Sequence, residues 1–309
     1  MSTMSTKITE KMVIDAANGS IVLNGLDFTK NGYVEIHNAD SVVIKNCRVY
    51  GLNCEDAAKN YWMKVIGDIP VKLSIVRSFF GANPGKNGKL YNLLELNAKL
   101  KGDSMISSNW FTADCCTHNS INIYGAEEDA VIYVNNNHFA DMAKQMRIGI
   151  KEAPKCKIIS NGNDCIIKDT SPEGIEWANL ALVQPYGKKT TTFENLEISM
   201  KDNKLSSDLP DPIVAYFGGG DTPMGITSSP KVTLDGKDFK IPIRTDSKSV
   251  AVIGTTAYAT LAEAITAATN GEVITWVNST DEEIDLSTVE ATIVAARKGL
   301  TVHSVEIEF

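Results

Sequence analysis

Short runs of alternating apolar and polar residues recur along most of the chain, separated by polar corners, and Tyr33–Tyr50 shows the unit most clearly. Val34 and Ile36 form one apolar doublet and Val42 and Ile44 a second; Asn38-Ala39-Asp40 makes the corner between them, and a further corner follows at Asn46. Alternation with period two predicts half-buried strands, because successive side chains point to opposite faces. Variants return at Leu23–Phe28, Ile44–Val49, Ile75–Phe80, Ile106–Phe111, Val134–Phe139, Ile158–Asn163 and Phe193–Ile198, with spacings of 21 to 35 residues. An apolar doublet interleaves with them at Val34/Ile36, Leu94/Leu96, Ile121/Ile123, Ile148/Ile150 and Leu180/Leu182.

Two series keeping similar periods predict stacked repeats rather than one closed sheet. Each repeat is too small to bury its own apolar face, so it must lie on the next. Asparagine suits the repeated corners, because it tolerates a left-handed backbone and bonds locally through its amide. Stacked asparagines can also bond to one another along the axis. The reading predicts Ile44, Ile75, Ile106 and Val134 stacked inward in consecutive repeats. An antiparallel β-sandwich is the alternative, since it too has many short strands with turn signals.

The Val-x-Ile-x-Asn and Asn-Asn-x-Phe pattern resembles the right-handed parallel β-helix of pectin-lyase-like proteins over residues 12 to 245. That fold occurs in polysaccharide-active enzymes, bacterial surface proteins and bacteriophage spikes and fibres. The likeness is one of architecture, and no enzyme family's catalytic motif comes with it. The expected fold class is mainly β: a right-handed parallel β-helix solenoid with a small C-terminal α/β module.

Breaks in the repeat predict insertions. Glu55–Lys59 suggests a helical insertion, Gly81–Gly88 and Asp169–Gly174 are longer corners, and Lys204–Pro230 is an irregular stretch. Beyond Ser247 the period changes. Val250–Ile253 reads as a strand, and Thr260 to Glu263 as a capping box opening a helix from Leu261 to Thr269, which Asn270-Gly271 stops. Glu272–Val277 is a second strand, Ser287–Glu290 a second capping box opening a helix to Lys298, and Leu300–Ile307 a closing strand. The order β-α-β-α-β implies a small α/β unit. The segment Val252–Ile265 is similar to one frequent in modular surface and phage proteins. The expected organisation is an N-terminal arm at 1–11, a parallel β-helix domain at 12–247 and a small acidic α/β domain at 248–309.

The net charge of −8 is uneven: residues 248–309 carry 3 basic and 9 acidic residues, leaving −2 on the rest. Such a balance argues against nucleic acid as a partner, whose binding requires Lys and Arg to neutralise phosphates. No run of 18 apolar residues predicts a membrane span, and the first ten residues lack the apolar core of a signal peptide. The six cysteines, Cys47, Cys54, Cys115, Cys116, Cys156 and Cys165, match no zinc spacing. They are expected to be reduced structural thiols of a chain made in the cytosol.

Candidate chemistry is sparse. A glycoside hydrolase needs two converging carboxylates, for which Asp114, Glu127, Glu128, Asp129 and Asp141 are candidates, with Glu127–Asp129 reading as a solvated corner. Arg147 and Lys151 resemble the basic end of polygalacturonase-like sites. The accompanying Asp pair and Gly-His-Gly are absent from the sequence. His138, beside a corner, is expected to be a stacked polar residue, and His37 to occupy the equivalent place near Asn38. Hence no catalytic residue, cofactor or metal site is assigned.

These features predict a non-enzymatic structural protein of a bacteriophage virion, assembled in the host cytoplasm, as a capsid decoration or head-fibre protein on the particle surface. Expected partners are the major capsid protein or other virion proteins, further copies of the chain, and a host-surface glycan. The alternatives are a glycan-binding or glycan-cleaving β-helix, such as a tail fibre, tailspike or small depolymerase, and a bacterial surface adhesin.

Overall fold

Strand alternation is realised in the computed structural model, which is mainly β and built around parallel sheets. It describes residues 6–29, 32–49, 61–81, 90–112, 116–142, 148–150, 155–167, 183–185, 195–207, 231–238, 250–254, 256–277, 279–284, 289–295, 301–302 and 305–306. Thr6–Ile8, Lys11–Asp15 and Ser20–Asn24 enter three different sheets in turn, and Leu26–Phe28, Tyr33–His37 and Ser41–Lys45 return to the same three in the same order. We call them sheets 1, 2 and 3. Continued rotation gives eight described strands in sheet 1, seven in sheet 2 and nine in sheet 3. All pairings within them are parallel except the last of sheet 3, where Lys231–Leu234 turns back to Lys237–Asp238.

One core fills the space the three sheets share. Ile44 pairs with Ile75, Ile75 with Ile106 and Ile106 with Val134, and all four are buried. In sheet 2, Val34 and Ile36 align with Met63 and Val65, then Leu94 and Leu96, then Ile121 and Ile123, then Ile148 and Ile150. In sheet 1 the rings of Phe80, Phe111 and Phe139 stack at centroid spacings of 5.1 and 5.0 Å. These spacings match the ~4.8 Å between neighbouring strands, so identical side chains in register stack without strain.

Several expectations need correction. Thr6–Ile8 pairs with Leu26–Phe28, so the polar arm expected at 1–11 already contains a strand. The repeat expected at Ile158–Asn163 sits two residues later. Ser160 takes the position that Val134 holds one repeat earlier, and Asn161-Gly162-Asn163 takes the corner. The next corner is Lys201-Asp202-Asn203, not the one expected within Phe193–Ile198. A serine at an otherwise apolar inward position displaced the apolar pattern. The partner of Ile148 and Ile150 is Val183–Pro185; Leu180/Leu182 lies outside the described residues. Lys204–Ser207, expected to be irregular, is a strand of sheet 1. Of the corner expected at Gly81–Gly88, Gly81 ends the strand Phe79–Gly81; the rest of it, the insertions expected at 55–59 and 169–174, and the remainder of Lys204–Pro230 beyond Ser207 lie outside the described residues.

The C-terminal segment has its own core, formed by Ala251, Ile253, Leu261, Ala264, Ile274 and Trp276. Ala251–Ile253 pairs antiparallel with Thr256–Tyr258 and Val273–Trp276, and a helix spans Leu261–Ala267. Thr260 caps the helix as expected, accepting from the Glu263 N–H at 3.1 Å. Glu282 adds a second cap that the sequence did not suggest, its two oxygens each 3.0 Å from the N–H groups of Leu261 and Ala262. The helix expected up to Lys298 is instead a strand at Thr292–Ala295, pairing parallel with Val273–Trp276. The β-branched run Thr292-Ile293-Val294 favours a half-buried pleat over a helix. The expected closing strand is a hairpin of Thr301–Val302 with Val305–Glu306.

Candidate functional site

The corner from sheet 3 to sheet 1 organises the most distinctive surface. At this corner the chain places Gly25, Asn46, Arg77, Ser108, Asn136, Gly162 and Asp202 in seven successive repeats, every one at a positive φ between 49° and 68°. One left-handed residue turns the strand sharply, and Gly and Asn take that conformation most readily. The residue after it points inward and the next points outward.

The inward residues build an amide ladder. Asn109 Nδ2 donates to Ile75 O at 2.9 Å and to Asn137 Oδ1 at 3.1 Å. Asn137 repeats this toward Ile106 O and Asn163 Oδ1, and Asn163 toward Val134 O and Asn203 Oδ1. Each Oδ1 also accepts the backbone N–H one repeat earlier, including Ser78 N to Asn109 Oδ1 at 3.0 Å. Asn109, Asn137 and Asn163 are buried, so these bonds meet the requirement that buried polar groups find partners. Ser78 and Cys47 continue the row with a hydroxyl and a thiol, the Ser78 Oγ accepting the Cys47 N–H at 3.2 Å.

The outward residues form a row on sheet 1: Arg48 aligns with Phe79, Phe79 with Trp110, Trp110 with His138, and His138 with Asp164. Between this row and the corner residues lies a shallow groove of about 750 Å³ crossing four repeats. Asn46, Arg77, Ser108 and Asn136 form one wall, and Arg48, Phe79, Trp110 and His138 the other. Trp110 is 45% exposed, and its ring lies 3.8 Å from that of His138. His138 Nδ1 is 2.9 Å from Asp164 Oδ2, which fixes the imidazole against the indole.

A second polar row runs along sheet 2, where Glu35, Lys64, Glu95 and Asn122 are in register. Glu35 bonds to Lys11 Nζ at 2.8 Å, to the Tyr61 hydroxyl and to His37 Nε2 at 3.4 Å. Burial works to raise its carboxyl, and the Lys11, Tyr61 and His37 hydrogen bonds outweigh it, holding the group below the ordinary glutamate value. Burial, then the Glu35 hydrogen bond, pushes the Tyr61 phenol up. Glu35 is therefore an ionised clasp between the first repeats rather than a poised acid. Asn122 Nδ2 donates to Glu95 Oε2 at 2.9 Å.

The residues singled out from sequence are scattered. Glu127, Glu128 and Asp129 lie at an exposed turn, where Lys155 Nζ reaches Glu128 at 3.4 Å and Asp129 at 3.7 Å. Asp114, Arg147 and Lys151 fall outside the described residues, and Asp141 is placed only as part of the strand His138–Met142. His138 belongs to the groove. His37 is not its equivalent: it ends a strand of sheet 2, before the Asn38 corner into sheet 3, whereas His138 follows the Asn136 corner into sheet 1. Sequence reasoning missed the groove itself, although the outward residue two places after each corner could have been read off the repeat. No cluster of metal-ligating side chains occurs among the described residues. Compared with known proteins, the chain matches no family model, no curated protein and no solved structure.

Proposed function

We propose that the chain is a non-enzymatic structural protein of a bacteriophage virion, a capsid decoration or head-fibre protein, folded as a right-handed parallel β-helix solenoid with a small C-terminal module. The observation that carries the reading is the rotation of successive strands through three parallel sheets with an amide ladder inside. Each repeat is joined to the next through backbone and side chain alike, which makes a stiff, protease-resistant rod. Cys47 and Cys156 are free and buried, which fits folding in a reducing cytosol before the particle is released. Its partners are then the major capsid protein or other virion proteins, and further copies of itself.

The test is a pull-down with the phage's major capsid protein. The chain is retained on assembled capsid protein at a fixed ratio; elution of the chain alone, with assembled capsids in excess, overturns the assignment. A second reading, glycan binding, is favoured by one observation, the groove that carries exposed Trp110 and is also lined by Arg48 and Arg77.

A further inference from the structure

We infer that the groove between the sheet 3 to sheet 1 corner and the outer face of sheet 1 binds an acidic oligosaccharide, with Trp110 as the stacking platform and Arg77 as the carboxylate-reading group. The inference supplies a site and a ligand class for the glycan-binding reading, and it stands or falls separately from attachment to a particle.

Three observations converge. Trp110 is the largest side chain among the exposed apolar residues of the described surface, on a strand position that its neighbours fill with Arg48, Phe79 and His138. A flat ring held against His138, itself held by Asp164, is fixed in place before any ligand arrives. Such preorganisation lowers the ordering cost of binding, and an indole offers an apolar face to the C–H face of a pyranose while its edge stays wet.

Arg77 is the second observation. It holds a left-handed corner at φ 49°, where Gly25 and Gly162 serve in other repeats. An arginine there is strained where glycine is not, and it makes no ion pair with any described residue. Its guanidinium is exposed on the groove wall, suited to grip a carboxylate with two parallel hydrogen bonds.

The shape is the third. The groove is open, crosses four repeats and therefore runs ~14 Å along the strand-stacking direction at ~4.8 Å per strand. That length suits a linear chain of a few sugar rings better than a compact metabolite. The amides of Asn46 and Asn136 and the hydroxyl of Ser108 line the same wall and supply hydroxyl-matching donors and acceptors.

The experiment uses the full chain on an array of uronate- and sialate-bearing oligosaccharides, each beside its neutral counterpart, with inorganic phosphate as a competitor. Acidic glycans are retained over their neutral counterparts, and Trp110→Ala and Arg77→Gln each lower retention at least tenfold. The thermal midpoint of both variants stays within a few degrees of the parent, which separates lost binding from lost folding. Millimolar phosphate that displaces the glycan completely would identify a simple anion site and overturn the assignment. Absence of acidic-glycan binding, or binding indifferent to both substitutions, also overturns it. None of these outcomes bears on retention by capsid protein.

Discussion

Asn137 Oδ1 accepts two hydrogen bonds from the preceding repeat, from the Asn109 N–H at 3.0 Å and from Asn109 Nδ2 at 3.1 Å. One side chain thus satisfies both the backbone and the amide of its neighbour, while its own Nδ2 bonds Ile106 O at 2.9 Å. The ladder is therefore a chain of dependencies, in which removing one member strands groups on both sides.

Asn137→Ala leaves the buried Asn109 N–H and the second Nδ2 hydrogen of Asn109 without their acceptor, and takes the amide donor away from Ile106 O. Each stranded group costs roughly 1–3 kcal/mol, so the variant loses about 3 kcal/mol of stability in urea denaturation. Asn46→Ala, at an exposed corner bonded to Asn24, loses about 1 kcal/mol, chiefly from the left-handed backbone. Equal losses at the two sites would contradict the ladder's role.

Phe111 lies between Phe80 and Phe139, nearly parallel to both. Phe111→Ala opens a cavity inside the stack and costs about 3–5 kcal/mol, whereas Trp110→Ala, one residue away and facing solvent, costs under about 1 kcal/mol. The pair of denaturation midpoints tests the alternation directly.

The Glu35 clasp gives stability a definite pH dependence. A carboxyl held below its ordinary value contributes fully above the ordinary glutamate range, and the contribution fades as pH falls through the folded-state value. The Glu35 hydrogen bond raises the Lys11 ammonium, so its share is lost only as pH rises through that raised lysine value. The stability gap between the parent and Glu35→Gln should thus be present at neutral pH and close in acid. A gap that persists at pH 2 would assign the loss to packing instead.

Burial pushes the Cys156 thiol up to about 12 and raises that of Cys47 as well. Both should resist alkylation at pH 8 in the folded protein and react in denaturant, where about six free thiols are expected in total. Fewer than four reactive thiols after denaturation without reductant would indicate disulfides and an oxidising compartment.

Much of the fold was legible because identical inward positions repeat the same residue class: Ile44, Ile75, Ile106 and Val134 announce their own register. Legibility failed where chemistry replaced hydrophobicity. Ser160 occupies an inward site because its Oγ accepts from Asn163 and its carbonyl from Asn203, a reason that no apolar pattern contains. At Thr292–Ala295 a capping signal in the sequence was overridden by pairing with Val273–Trp276. The groove was hidden for another reason: Arg77 and Trp110 are 33 residues apart, and only the stacking of repeats brings both to one groove.

Display of the chain on a virion as a stiff β-helical rod, as proposed above, can be decided by a cryo-EM map of intact particles. Rods anchored to the capsid surface are the expected result, with density layers ~4.8 Å apart along the rod axis into which the three parallel sheets fit. Particles that carry no such density, with the chain recovered only from the particle-free lysate, would contradict it.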